Sequence, residues 1–583
     1  MKKTTCRPLF PAAFILLMLT VSCSTGSRQA DLPRPGNRES FAVWTGRLLE
    51  ERVGKEKLTG GMTAMVYADG EVLYAGGSGM ADAEAGRGAD GETPMPVGSI
   101  SKLFTATAVM MLVEEGRIDP DAPVSAYLPR LKMAGGAENR FTVRDLLTHH
   151  SGLPGDLFGG WFPEEPGTEN LQQLYPLLEG RPAAAEPGRL FSYSNIGFSL
   201  LGMMVEEVSG QAYEDFIRGR IFTPAGMTHS AVYPGENGEL LPRGYRKKES
   251  LPVPLIRDIP AGNLAVSAAD MGAFVRALYG GDPVLLSPDT LAEMQSVQNP
   301  GNIYDRAFEI GLGWWLIEPL NSGEKMASHG GDLPPFHSVL ITLPERDLAV
   351  FVASNDESGS PMEAALEIVE ELMVWSGLPR PVPAEKGGFV PVPEEDKALY
   401  AGIYNTLAGP VEVTPRGKGL SLEISGKNLR FAPRENGRYG VQYRLLGVVP
   451  LPVAQLEMME FDMYRAGGEV WMGLWIGGIY LGTFSRLGPV TYSEEFSVYG
   501  GGYETEEGGG EIDNIRIFER DGRYYLGVSL LGMPVELALR PDGPARALTD
   551  GTGRGMGDVL EFRDSAGGIV LEWSGMTLRQ IRE

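Results

Sequence analysis

A proline-rich stretch near residue 380 constrains this chain more than any other feature. Leu378-Pro379-Arg380-Pro381-Val382-Pro383, followed by Pro391-Val392-Pro393, can neither continue a helix nor sit inside a sheet, because proline lacks the amide hydrogen both require. It reads as a semi-rigid linker, 381–395, and as a domain boundary. The two sides of it differ in character. Upstream, a helical pattern at Phe41 to Arg52 precedes two strand-like runs, Met62 to Ala68 and Glu71 to Gly76, joined by Asp69-Gly70. Asp-Gly between apolar runs is a hairpin signal, since a type I′ turn needs positive φ at both central residues. Helical periodicity dominates from Ser99 to about Tyr279, strand-like runs return at Glu309 to Glu318, Phe336 to Leu343 and Leu348 to Ala353, and a helix follows at Met362 to Trp375. The economical reading of residues 40–380 is an α/β (α+β) domain: an antiparallel sheet built from both ends of the segment, with a helical insertion between them.

Downstream, short alternating strands and frequent glycines predict an all-β region that is internally duplicated. Leu399-Tyr400-Ala401-Gly402-Ile403-Tyr404 recurs as Val498-Tyr499-Gly500-Gly501-Gly502-Tyr503, and Thr483-Phe484-Ser485-Arg486-Leu487 is echoed by Thr577-Leu578-Arg579-Gln580-Ile581. Tyr499 lies 99 residues after Tyr400, and Thr577 lies 94 after Thr483. Two β units, 396–488 and 489–583, are therefore expected, as two small barrels or as halves of one.

Charge and cysteine usage exclude several functions. With 51 Lys+Arg against 76 Asp+Glu over 583 residues, the net charge of −25 argues against a nucleic-acid partner, which needs a basic face. Two cysteines, Cys6 and Cys23, leave no disulfide framework and no Cys-based zinc site. Both fall in a leader-like segment: Lys2, Lys3 and Arg7 precede the apolar run Phe14 to Leu19, as in a signal peptide spanning 1–22. The ending Leu19-Thr20-Val21-Ser22-Cys23 resembles the bacterial lipobox, although Thr20 stands where leucine is usual. Cys23 is thus the expected lipidation site, 23–39 a polar tether, and the product an exported lipoprotein of the cell envelope, on the periplasmic side or the outer membrane.

The chemistry concentrates upstream of the linker. Gly98-Ser99-Ile100-Ser101-Lys102-Leu103-Phe104 opens an apolar helix that Gly116 is placed to end. Residues three apart share a helix face, so Lys102 Nζ can reach Ser99 Oγ, while the helix start supplies N–H groups and the positive end of its dipole. That suits a serine nucleophile with a lysine base. Ser-x-x-Lys alone is a weak signal, and Ser322 to Lys325 repeats it in a polar loop. Two further pieces add weight: Tyr193-Ser194-Asn195 before an apolar helix, and His329-Gly330-Gly331 just before a strand. A phenol near an amine can share its proton work, and an amide can orient a substrate carbonyl.

With these motifs the chain resembles the serine β-lactamase and D,D-peptidase superfamily, which includes the penicillin-binding proteins, and in particular the class C β-lactamase-like serine hydrolases. The resemblance covers roughly Phe41 to Trp375 and includes Leu146-Leu147-Thr148-His149-His150-Ser151-Gly152-Leu153-Pro154, Phe222-Thr223-Pro224-Ala225-Gly226-Met227-Thr228 and Pro260-Ala261-Gly262-Asn263-Leu264. It implies that Ser99 forms an acyl-enzyme, that Lys102 and Tyr193 handle protons, and that Asn195 binds substrate. It also implies that His329, Gly330 and Gly331 line the pocket on a strand, and that the N–H groups of Ser99 and Asp332 form the oxyanion hole. Which of Lys102 and Tyr193 is the base stays open. No cofactor or metal is expected, and the partner is a small-molecule or peptide substrate. His149 and the His-x-Gly of His150-Ser151-Gly152 are read as structural. Trp161, Phe162, Trp314 and Trp315 are candidates for either pocket wall or core. The tail, from Asp396 onward, resembles the lipocalin-like domains attached to some of these peptidases.

Two departures bear on specificity. The third motif begins with His329 where a lysine is usual, so the pocket lacks a fixed cation for a substrate carboxylate. This favours an esterase, amidase or peptidase over a penicillin hydrolase. Leu333-Pro334-Pro335-Phe336 stands where relatives often have Pro-Gly-Phe. The chain has neither the Gly-x-Ser-x-Gly elbow of α/β-hydrolases nor the His-Glu-x-x-His of zincins. The remaining alternative is a non-catalytic lipoprotein that binds or senses cell-wall fragments or partner proteins on the same fold.

Overall fold

The segment Gly61–Ala68 carries apolar or small side chains at almost every position, and all of it is buried, as expected of a strand covered on both faces. In the computed structural model it is central to a six-stranded antiparallel sheet. The order is Arg87–Gly88, Glu71–Asp82, Gly61–Ala68, Leu348–Ser354, Phe336–Leu343, Ala327–Leu333. The two ends of the domain meet where Met65 stands opposite Phe351. Alternation along the strand divides its side chains between two cores. Met62, Ala64 and Val66 pack with the terminal helices Arg38–Glu56 and Pro361–Trp375, whereas Met65 and Tyr67 face the helical insertion. Asp69 and Gly70 both adopt positive φ in the hairpin turn.

The structure describes residues 32–581, apart from 164–166, 233–240, 282–283, 307, 317–319, 321, 383–385, 407–408, 425–426, 446–448, 452–453, 477–478, 506–511, 531–532, 552–554 and 566. The expected signal peptide and Cys23 lie outside the described residues. No helix among the described residues is long and apolar enough to cross a membrane. The chain divides between Ala384 and Glu385, inside the proline-rich connector, into two compact units.

In the first unit, the helix Ser101–Glu114 is buried continuously from Ser101 to Leu112, which explains why its sequence is apolar on every side. Gly116, at φ 67°, follows its end. The first helix begins at Arg38, ahead of its first apolar residue, because the Asn37 side chain accepts from Ser40 N at 2.8 Å and caps it. Two sequence expectations need correction. Glu309 to Glu318 is not a strand: its described residues form a tight reversal in which Gly313 takes φ 80° and Gly311 N donates to Trp314 O at 2.7 Å. The glycines break an otherwise strand-like pattern. Conversely, His329-Gly330-Gly331 does not precede a strand but lies within one, Ala327–Leu333, held by its register with Phe336–Leu343.

After the helix Glu394–Tyr400 the second unit is mainly β, interrupted by the short helix Ala454–Glu457 and the 3-10 helix Glu494–Tyr499. A nine-stranded sheet runs from Gly402–Thr406 to Ile479–Ser485, and an eight-stranded closed barrel runs from Gly501–Thr505 to Met576–Gln580. The duplication extends to individual hydrogen bonds. Tyr404 Oη donates to Tyr400 O at 2.9 Å, and Tyr503 Oη donates to Tyr499 O at 2.7 Å. Arg486 donates to the carbonyls of Leu399 and Ala401, and Gln580 to those of Val498 and Gly500.

Candidate active site

Ser99 sits in a single 3-10 turn, Gly98–Ile100, that feeds directly into the buried helix. Two glycines let the edge strand approach this turn. A Cβ on Gly98, whose φ is +51°, would lie 2.6 Å from Asp332 N, and a Cβ on Gly331 would lie 1.9 Å from Val97 O. Ser338 Oγ donates to Val97 O at 2.8 Å and ties the neighbouring strand to the same carbonyl. The Asp332 backbone therefore stands against the nucleophile turn, where an oxyanion donor is needed. The Asp332 side chain pairs with His337. Ser101 Oγ braces the turn from inside, donating to Gly98 O at 2.7 Å and accepting from Leu264 N at 3.1 Å.

Lys102 is completely buried. Its Nζ donates to Ser99 Oγ at 3.1 Å, Asn195 Oδ1 at 2.7 Å and Ala261 O at 2.6 Å, each an acceptor suited to an ammonium hydrogen. Nζ also lies 4.8 Å from the centroid of the Tyr193 ring. Asn195 opens the helix Asn195–Ser209, where Ser194 Oγ accepts from Gly197 N at 3.0 Å as the cap. The Asn195 Nδ2 donates to Asp156 Oδ1 at 2.7 Å. Tyr193 is bracketed by His149, which takes φ +59°. The His149 carbonyl accepts from Ser192 N at 2.8 Å, and its Nδ1 accepts from Ser194 N at 3.0 Å.

His329 completes the cluster from the edge strand, with its ring centroid 6.4 Å from that of Tyr193 and 5.5 Å from that of Trp315. Burial, aided by the Lys102 charge, pushes its pKa down to about 3, against the opposing pull of the Gly330 carbonyl. The ring is neutral at pH 7. Nδ1 lies 2.6 Å from Gly330 O and so carries the proton, which leaves Nε2 an acceptor with no partner among the described residues.

The structure thus gathers Ser99, Lys102, Tyr193, Asn195 and His329 into one site, with Gly330, Gly331 and Asp332 on the strand beside it. Of the aromatic candidates, Trp315 borders Tyr193 and His329, while Trp314 belongs to the core. Trp161 and Phe162 pack on each other at 5.1 Å. His150 is structural: its Nε2 lies 2.7 Å from Asp305 Oδ2, and Asp305 Oδ1 accepts from Phe191 N at 2.8 Å, ahead of Tyr193. The second Ser-x-x-Lys ends in Lys325, which pairs with Glu345 at the surface. Asp156 was not singled out by its sequence. It follows Pro154-Gly155, an ordinary turn pattern, and contacts Asn195 only after folding. No group of three or more metal-binding side chains occurs among the described residues.

Comparison with known proteins adds to this geometry. A family model described as Beta-lactamase matches residues 47–372. The chain is 28% identical over 459 residues to Penicillin-binding protein 4* of Bacillus subtilis (strain 168), covering 72% of this chain and 96% of that protein. The crystal structure of SurE shares the fold with a TM-score of 0.58 at 24% identity, covering 77% of this chain and 100% of that one. The octameric penicillin-binding protein homologue from Pyrococcus abyssi has a TM-score of 0.50 at 25% identity, covering 77% and 99%.

Proposed function

This chain belongs to the Beta-lactamase family of serine hydrolases, and from that membership we propose that it is an exported, lipid-anchored enzyme that opens amide or ester bonds through an acyl-enzyme on Ser99. The observation that carries the reading is the buried Lys102 with Nζ 3.1 Å from Ser99 Oγ. In the first step Ser99 Oγ attacks the substrate carbonyl and gives up its proton to the Lys102–Tyr193 pair, which enters the step one proton short of ammonium plus phenol, either as ammonium with phenolate or as amine with phenol. The carbon–leaving-group bond breaks, and the leaving amine or alcohol takes that proton away. Water then attacks the ester on Ser99, releasing the acid and returning the proton to Oγ. The N–H groups of Ser99 and Asp332 hold the developing oxyanion.

The neutral His329 directs specificity. A β-lactam carboxylate finds no cation on that side chain. Short esters and peptides, including D-amino-acid peptides or cell-wall fragments, are therefore the preferred substrates. Turnover of p-nitrophenyl butyrate, a peptide ending in two D-alanines, and nitrocefin separates the readings. The ester or the peptide should exceed nitrocefin, and nitrocefin matching the better of them would contradict the specificity.

The apolar run Phe14 to Leu19 and the lipobox-like ending at Cys23 support the anchor. Cys23→Ala should move the protein from the membrane to the soluble fraction; an unchanged distribution would argue against lipidation.

A further inference from the structure

We infer that Asp156 is a positioning residue of this site: its carboxylate sets the orientation of the Asn195 amide, and through it the place of the Lys102 ammonium beside Ser99. The inference rests on the serine-hydrolase reading of the site.

The argument begins from the two ends of one amide. Asn195 Oδ1 accepts from Lys102 Nζ at 2.7 Å, and Asn195 Nδ2 donates to Asp156 Oδ1 at 2.7 Å. An amide end that faces an ammonium must be oxygen, because an ammonium only donates. An end that faces a carboxylate must be nitrogen, because an ionised carboxylate only accepts. The two neighbours therefore demand the same orientation, and the bond to the carboxylate is of the stronger, charge-assisted kind. All three groups are buried, with Lys102 at 0% and both Asn195 and Asp156 at 9% exposure, so water offers little substitute for a lost partner.

The backbone holds Asp156 in place. Asn195 N donates to Gly155 O at 2.8 Å, and Ser194 Oγ donates to Pro154 O at 2.7 Å, which fixes the Pro154-Gly155-Asp156 turn against the start of the Asn195–Ser209 helix. Without the Asp156 carboxylate, Asn195 Nδ2 loses the partner that anchors the amide, so the side chain can swing away from Lys102, and Nζ would lose the Asn195 Oδ1 acceptor and shift from Ser99.

The test is a double-mutant cycle on the acylation rate of the full-length protein with a fluorophosphonate probe, with melting temperature measured for each variant. Asp156→Ala should slow acylation by about 10²-fold, the scale of a misplaced catalytic group. Asp156→Asn offers an oxygen in the same position and should stay within about tenfold of wild type, because one neutral acceptor replaces a charged one. In an Asn195→Ala background, Asp156→Ala should cost nothing further, since its effect passes through the amide. A residue that merely stabilises the fold would give equal losses in both backgrounds. Equal losses, or an Asp156→Ala variant that acylates like wild type, would overturn the inference while leaving the acyl-enzyme intact. Wild-type protein that the probe does not label would overturn the serine-hydrolase reading and this inference with it.

Discussion

The His149 ring lies 4.4 Å from the Tyr193 ring, tilted by 31°, while the backbone and side chain of His149 accept from the amides on either side of that tyrosine. One residue thus fixes both the ring and the main chain of a proposed proton carrier. His149→Ala removes the ring contact and leaves Ser194 N without its acceptor, in a left-handed conformation that alanine disfavours. Acylation of Ser99 should slow by roughly tenfold or more. His149→Asn tolerates that backbone and offers an acceptor, so it should retain more activity. Stopped-flow acylation of both variants checks this, and equal rates for the two would remove the positioning role.

Gly331 and Gly330 are adjacent, yet their tolerance should differ sharply. A Cβ at Gly331 meets Val97 O at 1.9 Å, whereas one at Gly330 finds its nearest neighbour, Ser338 O, at 3.9 Å. Gly331→Ala must push the edge strand away from the nucleophile turn, at a cost of about 1–3 kcal/mol in stability. Gly330→Ala should leave the melting temperature nearly unchanged. Thermal unfolding of the two variants decides it, and similar melting temperatures would mean that the strand does not need this close approach.

The buried His329 gives acid sensitivity with a definite sign. Its pKa falls from 6.5 to about 3 on folding, so between those values the unfolded chain binds a proton that the folded chain refuses. Stability therefore declines as pH falls from about 6.5 toward 3. His329→Asn cannot take up that proton, and its melting temperature should fall less steeply between roughly pH 7 and pH 4 than that of wild type. Parallel curves would show that His329 is not the group responsible.

How much of this was legible depended on sequence distance. Ser99 and Lys102 could be paired because a helix start brings residues three apart together, and the structure keeps them at 3.1 Å. Sharing of one sheet by both ends of the domain followed from the order of strand-like runs. The tail duplication showed in its two tyrosine motifs, because each tyrosine bonds a carbonyl four residues before it and so leaves a local trace. Tyr193, Asn195 and His329 reach the site from distant segments, and only resemblance to a family related them to Ser99. Asp156 left no trace, since its partner is 39 positions away. The strand Ala327–Leu333 was hidden because its Ser-His-Gly-Gly-Asp core lacks β-forming side chains; neighbouring strand pairing and the Val97 contact hold it. Glu309 to Glu318 misled for the opposite reason, its apolar residues alternating across glycines that turn the chain.

The central claim is that Ser99 is the nucleophile. Intact mass followed by peptide mapping, on protein treated with a fluorophosphonate, tests it most directly. Wild type should gain one adduct, located on the peptide containing Ser99, and Ser99→Ala should gain none while its turnover falls by about 10³-fold or more. An adduct of the same mass on Ser99→Ala, or a wild-type adduct mapped to another residue, would contradict the account.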